Sequence, residues 1–484
     1  MTRLTTLLTL TAGRLARRAP VTCGVTTPLH ELLPRLAEAV VCHAVVLDRE
    51  RQIRGLIGPV ELLSRLRGPD APALTAGEIM DQGVRAVPAG EPLYRLFGTL
   101  RQGRPLAVVD DDGGLVGLLS AEQFMDAALP SSLGSGPNFP QADTTEALDA
   151  LKRSQVAIAA DLLAEKVPAT DIQRLLSALN DDLYRRVLSR VIAGLDADGW
   201  GRPPVAFAVI VMGSGGRRES LLAPDQDNGL VIDDYPDEQH AAVDSYFAEL
   251  GHRLAVRLDR VGIPLCTGHV MASNPLWRKA RSQWLAQIRG WMRHRSNQGL
   301  LNACILLDMR AVAGELSLAD AVREAMVDAV ARSPGFLRAL TLNESTKEVG
   351  LGWFDRLIPE GGEGPHAGEL NIKRNGIMPI VEAIRLYALS RGLTETGTLE
   401  RLGRLGEAGL LDRHDLDALS HAYGYMCFLL LRQQAADMRA GRPPGRHVPP
   451  DSLTRRENDT LVRSMKASQA LLRRLHADLV GSGV

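Results

Sequence analysis

The sequence predicts α/β modules followed by an all-α C-terminal part. Three observations predict it. Residues 20–128 hold an internal repeat in which short β-branched runs alternate with helical patterns. The apolar run from Val205 to Met212 ends in Gly213-Ser214, and Asp225 and Asp227 open a second apolar run. From residue 326 onward, helical periodicity dominates.

The repeat is legible residue by residue. Pro28-Leu29 returns as Pro92-Leu93, Val45-Val46 as Val108-Val109, and Gly55-Leu56 as Gly117-Leu118. Each unit reads as helix, strand, Gly- or Asp-rich turn, strand, helix. The N-terminus from Met1 to Gly13 faintly mimics a signal peptide, but its apolar part is short and threonine-diluted. It reads as a leading helix of a first domain at 1–129, with secretion as the alternative.

The Ser/Gly/Pro stretch at 130–143 reads as a linker. Residues 144–199 then show helical periodicity through Leu148, Leu151, Leu162, Ile172, Leu176, Leu183, Val187 and Val191. This is a helical lead-in to a core at 200–325.

In that core, side chains two apart on a strand point the same way, so Asp225 and Asp227 can present both carboxylates to one point. Paired hard oxygen ligands suit Mg²⁺ (or Mn²⁺), completed by waters and substrate phosphates. The glycine-rich turn at Gly213 can bring backbone N–H groups close to a polyphosphate. Tyr246–Val261 reads as a helix covering the sheet. His269 and Asn274, in a loop after it, are near enough in sequence to approach a nucleotide, although loop histidines are more often solvated.

Residues 326–484 read as a helical domain, with segments at Ile377–Ser390, Leu416–Arg439 and Asp459–Leu479. Gly361–Gly368 reads as a flexible loop and a lid candidate. It lacks the strand before it and the Lys-Ser/Thr after it that a phosphate loop needs.

Composition narrows the function classes. The chain has 484 residues, 45% hydrophobic and 23% charged, with net charge −1, so no global basic field gathers a long nucleic acid. Aromatics are only 4%, which disfavours a base-stacking single-strand binder. Five scattered cysteines without a CxxC imply reduced thiols and a cytoplasmic protein. No apolar run reaches the roughly 18 residues of a spanning helix, so no membrane partner is expected.

Gly213-Ser214, Gly216-Arg217, Glu219 and Asp225-Gln226-Asp227-Asn228 together resemble the polymerase-β-type nucleotidyltransferase superfamily. Within it the chain looks most like a bacterial group related to PII uridylyltransferase that often carries cystathionine-β-synthase (CBS) domains. The resemblance implies a third carboxylate on a later strand, matched by Asp308 in the run Cys304–Arg310. It implies a nucleotide site at Gly213, Ser214, Arg217 and Asn228, and a C-terminal substrate-binding helical domain in which Lys373 matches a recurrent lysine. The N-terminal repeat looks like a CBS pair. That family's signature keeps Ser120 here but has Gln123 in place of its Asp, and the first copy has Gly58 and Glu61. A structural or dimerising role therefore competes with adenine-nucleotide sensing, and a homodimer is expected.

The implied chemistry is two-metal transfer of a nucleoside monophosphate, UMP or AMP, from a nucleoside triphosphate to an acceptor hydroxyl. Asp225, Asp227 and Asp308 would hold the ions, Asp308 would assist deprotonation, and Gly213, Ser214 and Arg217 would hold the leaving phosphates. The related enzymes modify signalling proteins, so a protein acceptor is expected. A demodifying hydrolase is not, since His414-Asp415 lacks partners. A catalytically silent nucleotide sensor and a second-messenger synthase are the alternatives.

Overall fold

The structure, a computed structural model, describes residues 10–18, 20–38, 43–58, 61–62, 74–100, 105–120, 123, 144–345 and 349–481. Most of the expected leading helix and all of the linker at 130–143 lie outside them; within them Ala12–Leu15 makes one helical turn. The chain divides into two units, Met1–Phe139 and Pro140–Val484. No helix among the described residues is long and apolar enough to cross a membrane.

In the first unit the repeat becomes two matching sheets. After a two-residue strand β1 (Arg17–Arg18), the first copy supplies β2 (Val21–Gly24), α1 (Leu29–Glu38), β3 (Ala44–Leu47) and β4 (Ile53–Ile57). The second copy supplies β5 (Ala86–Pro88), α2 (Leu93–Leu100), β6 (Leu106–Val109) and β7 (Leu115–Leu119). In both, the strand before the helix pairs parallel with the strand after it, which pairs antiparallel with the last. The repeat thus includes a leading strand that the sequence reading left out. Even the register shift recurs, at Val46/Leu47 and Val108/Val109. Asp48 and Asp110 organise the intervening turns alike, their side chains accepting from backbone N–H groups two and four residues on. Val45, Leu56, Ala107 and Leu118, equivalent pairs from the two copies, share one buried cluster.

The second unit begins with α3 (Thr145–Ala164) and α4 (Ala169–Ala197), broken where Pro168 lacks an N–H. Its sheet runs β10 (Arg278–Ala280), β9 (Asn228–Ile232), β8 (Phe207–Val211), β11 (Arg310–Gly314). β8 and β9 are buried along their whole length, so both faces are covered. Phe207, Val209 and Val211 pack with Leu183, Val187 and Val191 of α4 and with Phe247, Leu250 and Leu254 of α5 (His240–Arg260).

One expected strand is a helix. Cys304–Leu306 ends α7 (Asn297–Leu306), which follows α6 (Arg281–His294) and starts where the Ser296 hydroxyl accepts from the Gly299 N–H. A short run buried on all sides carries no periodicity that separates strand from helix. Asp308 therefore sits in the turn before β11 rather than in a strand.

Beyond α8 (Leu316–Ala331) and α9 (Pro334–Ser345), a π-helical turn at Lys373–Ile377 leads into α10 (Met378–Ser390). Residues Pro379–Leu389 of α10 are all buried, because α11 (Thr398–Glu407), α8, α9 and the last helix enclose it; α12 (Arg413–Arg439) packs in turn on α11 and on that last helix, α13 (Arg455–Val480).

Candidate active site

β8 ends at Val211, and Gly213–Gly216 make one helical turn. Gly213 has φ +55, and a Cβ there would lie 2.8 Å from Asp227 Oδ2. A Cβ on Gly216 would collide with the Asp308 carbonyl. Both positions need glycine for conformation or for space. The Met212 N–H donates to the Asp227 carbonyl at 2.8 Å, which holds the turn against the carboxylate segment.

That segment is gripped by buried polar side chains from three helices. Lys152 on α3 donates to the Leu222 carbonyl at 3.1 Å. Gln173 and Ser177 on α4 bond Glu219 O and Ser220 N–H, and Gln434 on α12 accepts from the Leu222 N–H. Burial pushes the Lys152 ammonium down to about 7. Gln226 is fully buried and donates to the carbonyls of Ala255 and Ile263. Asp225 and Asp227 flank Gln226 just before β9, and the Asp227 N–H donates to the Asp225 carbonyl at 3.0 Å, so the pair sits in a tight turn rather than on the strand that their spacing suggests.

The two carboxylates differ. Asp225 is 41% exposed, whereas burial raises the Asp227 carboxyl, partly offset by the Cys266 thiol; Asp225 raises it further and Lys373 lowers it. Lys373 projects from the π-helical turn, a local geometry frequent at functional sites. Burial and Arg446 lower its ammonium, and both carboxylates raise it. Arg446 Nη2 lies 3.3 Å from Asp225 Oδ2. The structure thus brings Gly213, Asp225, Asp227 and Lys373 together, and adds Arg446. Nothing in the sequence singled out Arg446: it is one arginine in a Gly/Pro-rich connection after α12.

Three expected site residues are placed elsewhere. Asp308 is fully buried, its Oδ2 taking Arg217 Nη1 (2.7 Å) and Arg385 Nη1 (2.9 Å), its Oδ1 taking Arg401 Nη1 (2.7 Å). Burial pushes its carboxyl up, but Arg385, Arg401 and Arg217 more than offset this and hold it far below the ordinary range. Among the described residues it shares no cation-sized cluster with Asp225 and Asp227. The expectation of a third metal ligand is corrected: both oxygens of Asp308 are used by guanidinium groups.

Arg217 is buried with it and bonds Glu219 Oε2 at 2.6 Å, so its planar donor faces the protein rather than a phosphate. Asn228 is also buried, donating to the Tyr184 hydroxyl and accepting from the Ala272 N–H. Its amide fastens the 270–272 loop instead of a nucleotide. Asn274 likewise caps its own turn, donating to the His269 carbonyl and accepting from the Leu276 N–H. Arg310, which sequence reasoning missed, bonds Asp181 at 2.8 and 2.9 Å and the Gly215 carbonyl at 2.9 and 3.2 Å, bracing the Gly-Ser turn.

The donor set at Asp225 and Asp227 fits one hard divalent cation completed by water and phosphate oxygens, provided Arg446 yields Asp225 Oδ2. A three-carboxylate, two-metal set does not fit.

In the first unit, Ser120 and Gln123 bond each other: the Ser120 N–H donates to Gln123 Oε1 (2.7 Å), and the Gln123 N–H to Ser120 Oγ (3.3 Å). Gln123 Nε2 also reaches the Leu15 carbonyl. In the first copy the Gly58 N–H donates to Glu61 Oε2 at 2.9 Å. In each copy the residue at the signature's acidic position folds back as a cap. A separate cavity in this unit is lined by His43, Glu61, Asp81, Arg85 and Thr99 among others.

Family comparison agrees with this layout. Residues 153–298 match the family described as "Putative nucleotidyltransferase DUF294", and 334–479 match "Putative nucleotidyltransferase substrate binding domain". Residues 76–129 match "CBS domain". The chain belongs to this CBS-bearing nucleotidyltransferase family. Membership supports nucleotidyl transfer in general terms. No curated protein matches the chain. Among solved structures, a CBS-domain protein of unknown function from Bacillus anthracis is 15% identical, covering 25% of this chain and 94% of that one, TM-score 0.24. A CBS-domain protein from Agrobacterium tumefaciens is 19% identical over 25% and 93%, TM-score 0.23. CBSX2, solved with AMP, is 23% identical over 25% and 96%, TM-score 0.22.

Proposed function

We propose that the protein transfers a nucleoside monophosphate, UMP or AMP, from a nucleoside triphosphate to a hydroxyl on a signalling protein, as PII uridylyltransferase does. The observation that carries this reading is the meeting of Asp225, Asp227 and Lys373 at the Gly213 turn. Asp225 and Asp227 would hold one Mg²⁺ or Mn²⁺. When bound, such an ion would polarise the α-phosphate and offset charge on the triphosphate. Lys373 and Arg446 would neutralise the pyrophosphate that leaves as the acceptor oxygen bonds the α-phosphorus. The acceptor's proton goes to the carboxylate pair, the nearest base to the turn. Gly213 permits the close approach of a phosphate that any side chain would block.

Incubating the full chain with Mg²⁺ and each α-labelled nucleoside triphosphate, with and without PII-type acceptors, tests this. Label on protein with release of pyrophosphate supports it. Label in a small nucleotide product would make the chain a second-messenger synthase.

Two observations favour a second reading, a silent nucleotide sensor. Arg446 covers one oxygen of Asp225, and Asp308 is withheld from the site. Triphosphate binding without turnover of any acceptor is its signature. The CBS pair would then tune the site if its Ser120–Gln123 cap opened for an adenine nucleotide.

A further inference from the structure

Away from Asp225 and Asp227, three side chains able to bind a cation, His366, Glu369 and His447, meet where separate chain segments close together. Glu360 and Glu369 flank the Gly361–Gly368 loop. Its ends are tied by the Glu360 N–H to the Glu369 carbonyl (2.8 Å) and the Gly368 N–H to the Glu360 carbonyl (2.9 Å). Leu370 and Val448 exchange both backbone bonds at 2.9 Å, which lays His447 beside Glu369. The backbone alone therefore assembles the set.

The side chains follow. His366 Nδ1 lies 2.8 Å from Glu369 Oε2, and His447 Nε2 lies 3.6 Å from Glu360 Oε1. The two imidazole rings stack with centroids 4.0 Å apart. One ligand atom from each of His366, Glu369 and His447 falls within 4.8 Å of the other two. His447 Nδ1 is buried with no hydrogen-bond partner among the described residues. A buried polar atom left unpaired in a polar cluster points to a partner that protein atoms do not supply.

We propose that His366, Glu369 and His447, with water as fourth ligand, form a site for a divalent transition-metal cation of the zinc type. Two imidazoles with a carboxylate are a borderline nitrogen–oxygen donor set that suits Zn²⁺ or Co²⁺. Asp225 and Asp227 are an all-oxygen set that suits Mg²⁺. The two sites therefore select different ions. A ring nitrogen binds along its lone pair, in the ring plane, so the stacked rings must open. His447, 13% exposed, is the fixed ligand, and His366, 47% exposed, is free to turn edge-on. The bound ion ties the Gly361–Gly368 loop to the segment carrying Arg446, whose guanidinium reaches Asp225. It thus fastens the loop beside the nucleotide site without taking part in the transfer.

The test uses the full chain and Co²⁺ as probe, with Mg²⁺ in excess to fill the Asp225/Asp227 site. One equivalent of Co²⁺ with the visible absorption of a tetrahedral nitrogen–oxygen site is expected. His366→Ala and His447→Ala should each weaken binding at least about tenfold and remove that absorption, while Asp225→Asn keeps it. Glu369→Gln, at a partly exposed residue, repeats the loss in a variant with little reason to misfold. Zn²⁺ should slow cleavage after Glu363 by a glutamate-specific protease in the wild type and not in these variants. Absent Co²⁺ binding in the wild type, or the same spectrum and stoichiometry in the folded His366→Ala, His447→Ala and Glu369→Gln proteins, would overturn the proposal.

Discussion

Asp308→Asn separates a structural carboxylate from a metal ligand. In the wild type, one fully buried carboxylate answers three buried guanidinium groups. The amide keeps the shape and removes the charge. Breaking a buried ion pair by removing one partner costs about 3–5 kcal/mol, because the remaining charges stay buried. Unfolding entropy of about 2.1 cal/mol/K per residue, over the 345 residues from Pro140 to Val484, is about 0.7 kcal/mol/K. The variant should therefore melt about 4–7 °C below the wild type. Its Mn²⁺ affinity, measured by electron paramagnetic resonance below its melting range, should be unchanged. Asp227→Asn should do the reverse: lose Mn²⁺ and transfer while melting close to the wild type. The sign of the pH effect follows from the depressed carboxyl of Asp308. Its stabilisation is present above the unfolded value of about 4 and is lost as pH falls below it. Acid should thus destabilise the wild type more than Asp308→Asn. An Asp308→Asn protein that melts like the wild type but no longer binds Mn²⁺ would refute this account and return Asp308 to the metal.

Gly213→Val places a β-branched residue at φ +55 with its Cβ 2.8 Å from Asp227 Oδ2. It should cost at least about 1–2 kcal/mol and weaken triphosphate binding more than monophosphate binding in calorimetry. Lys152, with its ammonium lowered by burial to about 7, keeps the folded state less protonated than the unfolded chain between that pH and its ordinary 10.5. Wild-type stability should rise across this window by a few kcal/mol, at most about 5, relative to Lys152→Met, as followed by denaturant midpoints against pH. Because Ser120 and Gln123 bond each other, ATP or AMP should raise the melting temperature of the first unit little. A submicromolar adenine-nucleotide affinity that disappears in Ser120→Ala would show that this cap opens for a ligand.

Much of the layout was legible because local patterns carry it. The short, continuously apolar runs of β8 and β9, the turn residues at Asp48 and Asp110, and the long amphipathic runs of α12 and α13 are short-range signals. The repeat exposed itself because two copies of one pattern leave matching residues at matching places. The end of α7 misled because a short, mostly buried apolar run has no face to reveal. The roles of Asp308 and Arg217 misled for a different reason. A carboxylate in the right order reads the same whether a metal or an arginine answers it.

By itself, the sequence determined that two carboxylates, Asp225 and Asp227, open the run that becomes β9 and that Gly213 can leave room beside them. The second fact follows from a missing Cβ, which neighbours do not change. Only the tertiary structure decided what meets those carboxylates. Arg446 is 221 residues from Asp225 along the chain, and Arg385 and Arg401 are 77 and 93 residues from Asp308. Charge pairing acts across a few ångströms of space whatever the separation in sequence, so it becomes visible only once the helices have packed.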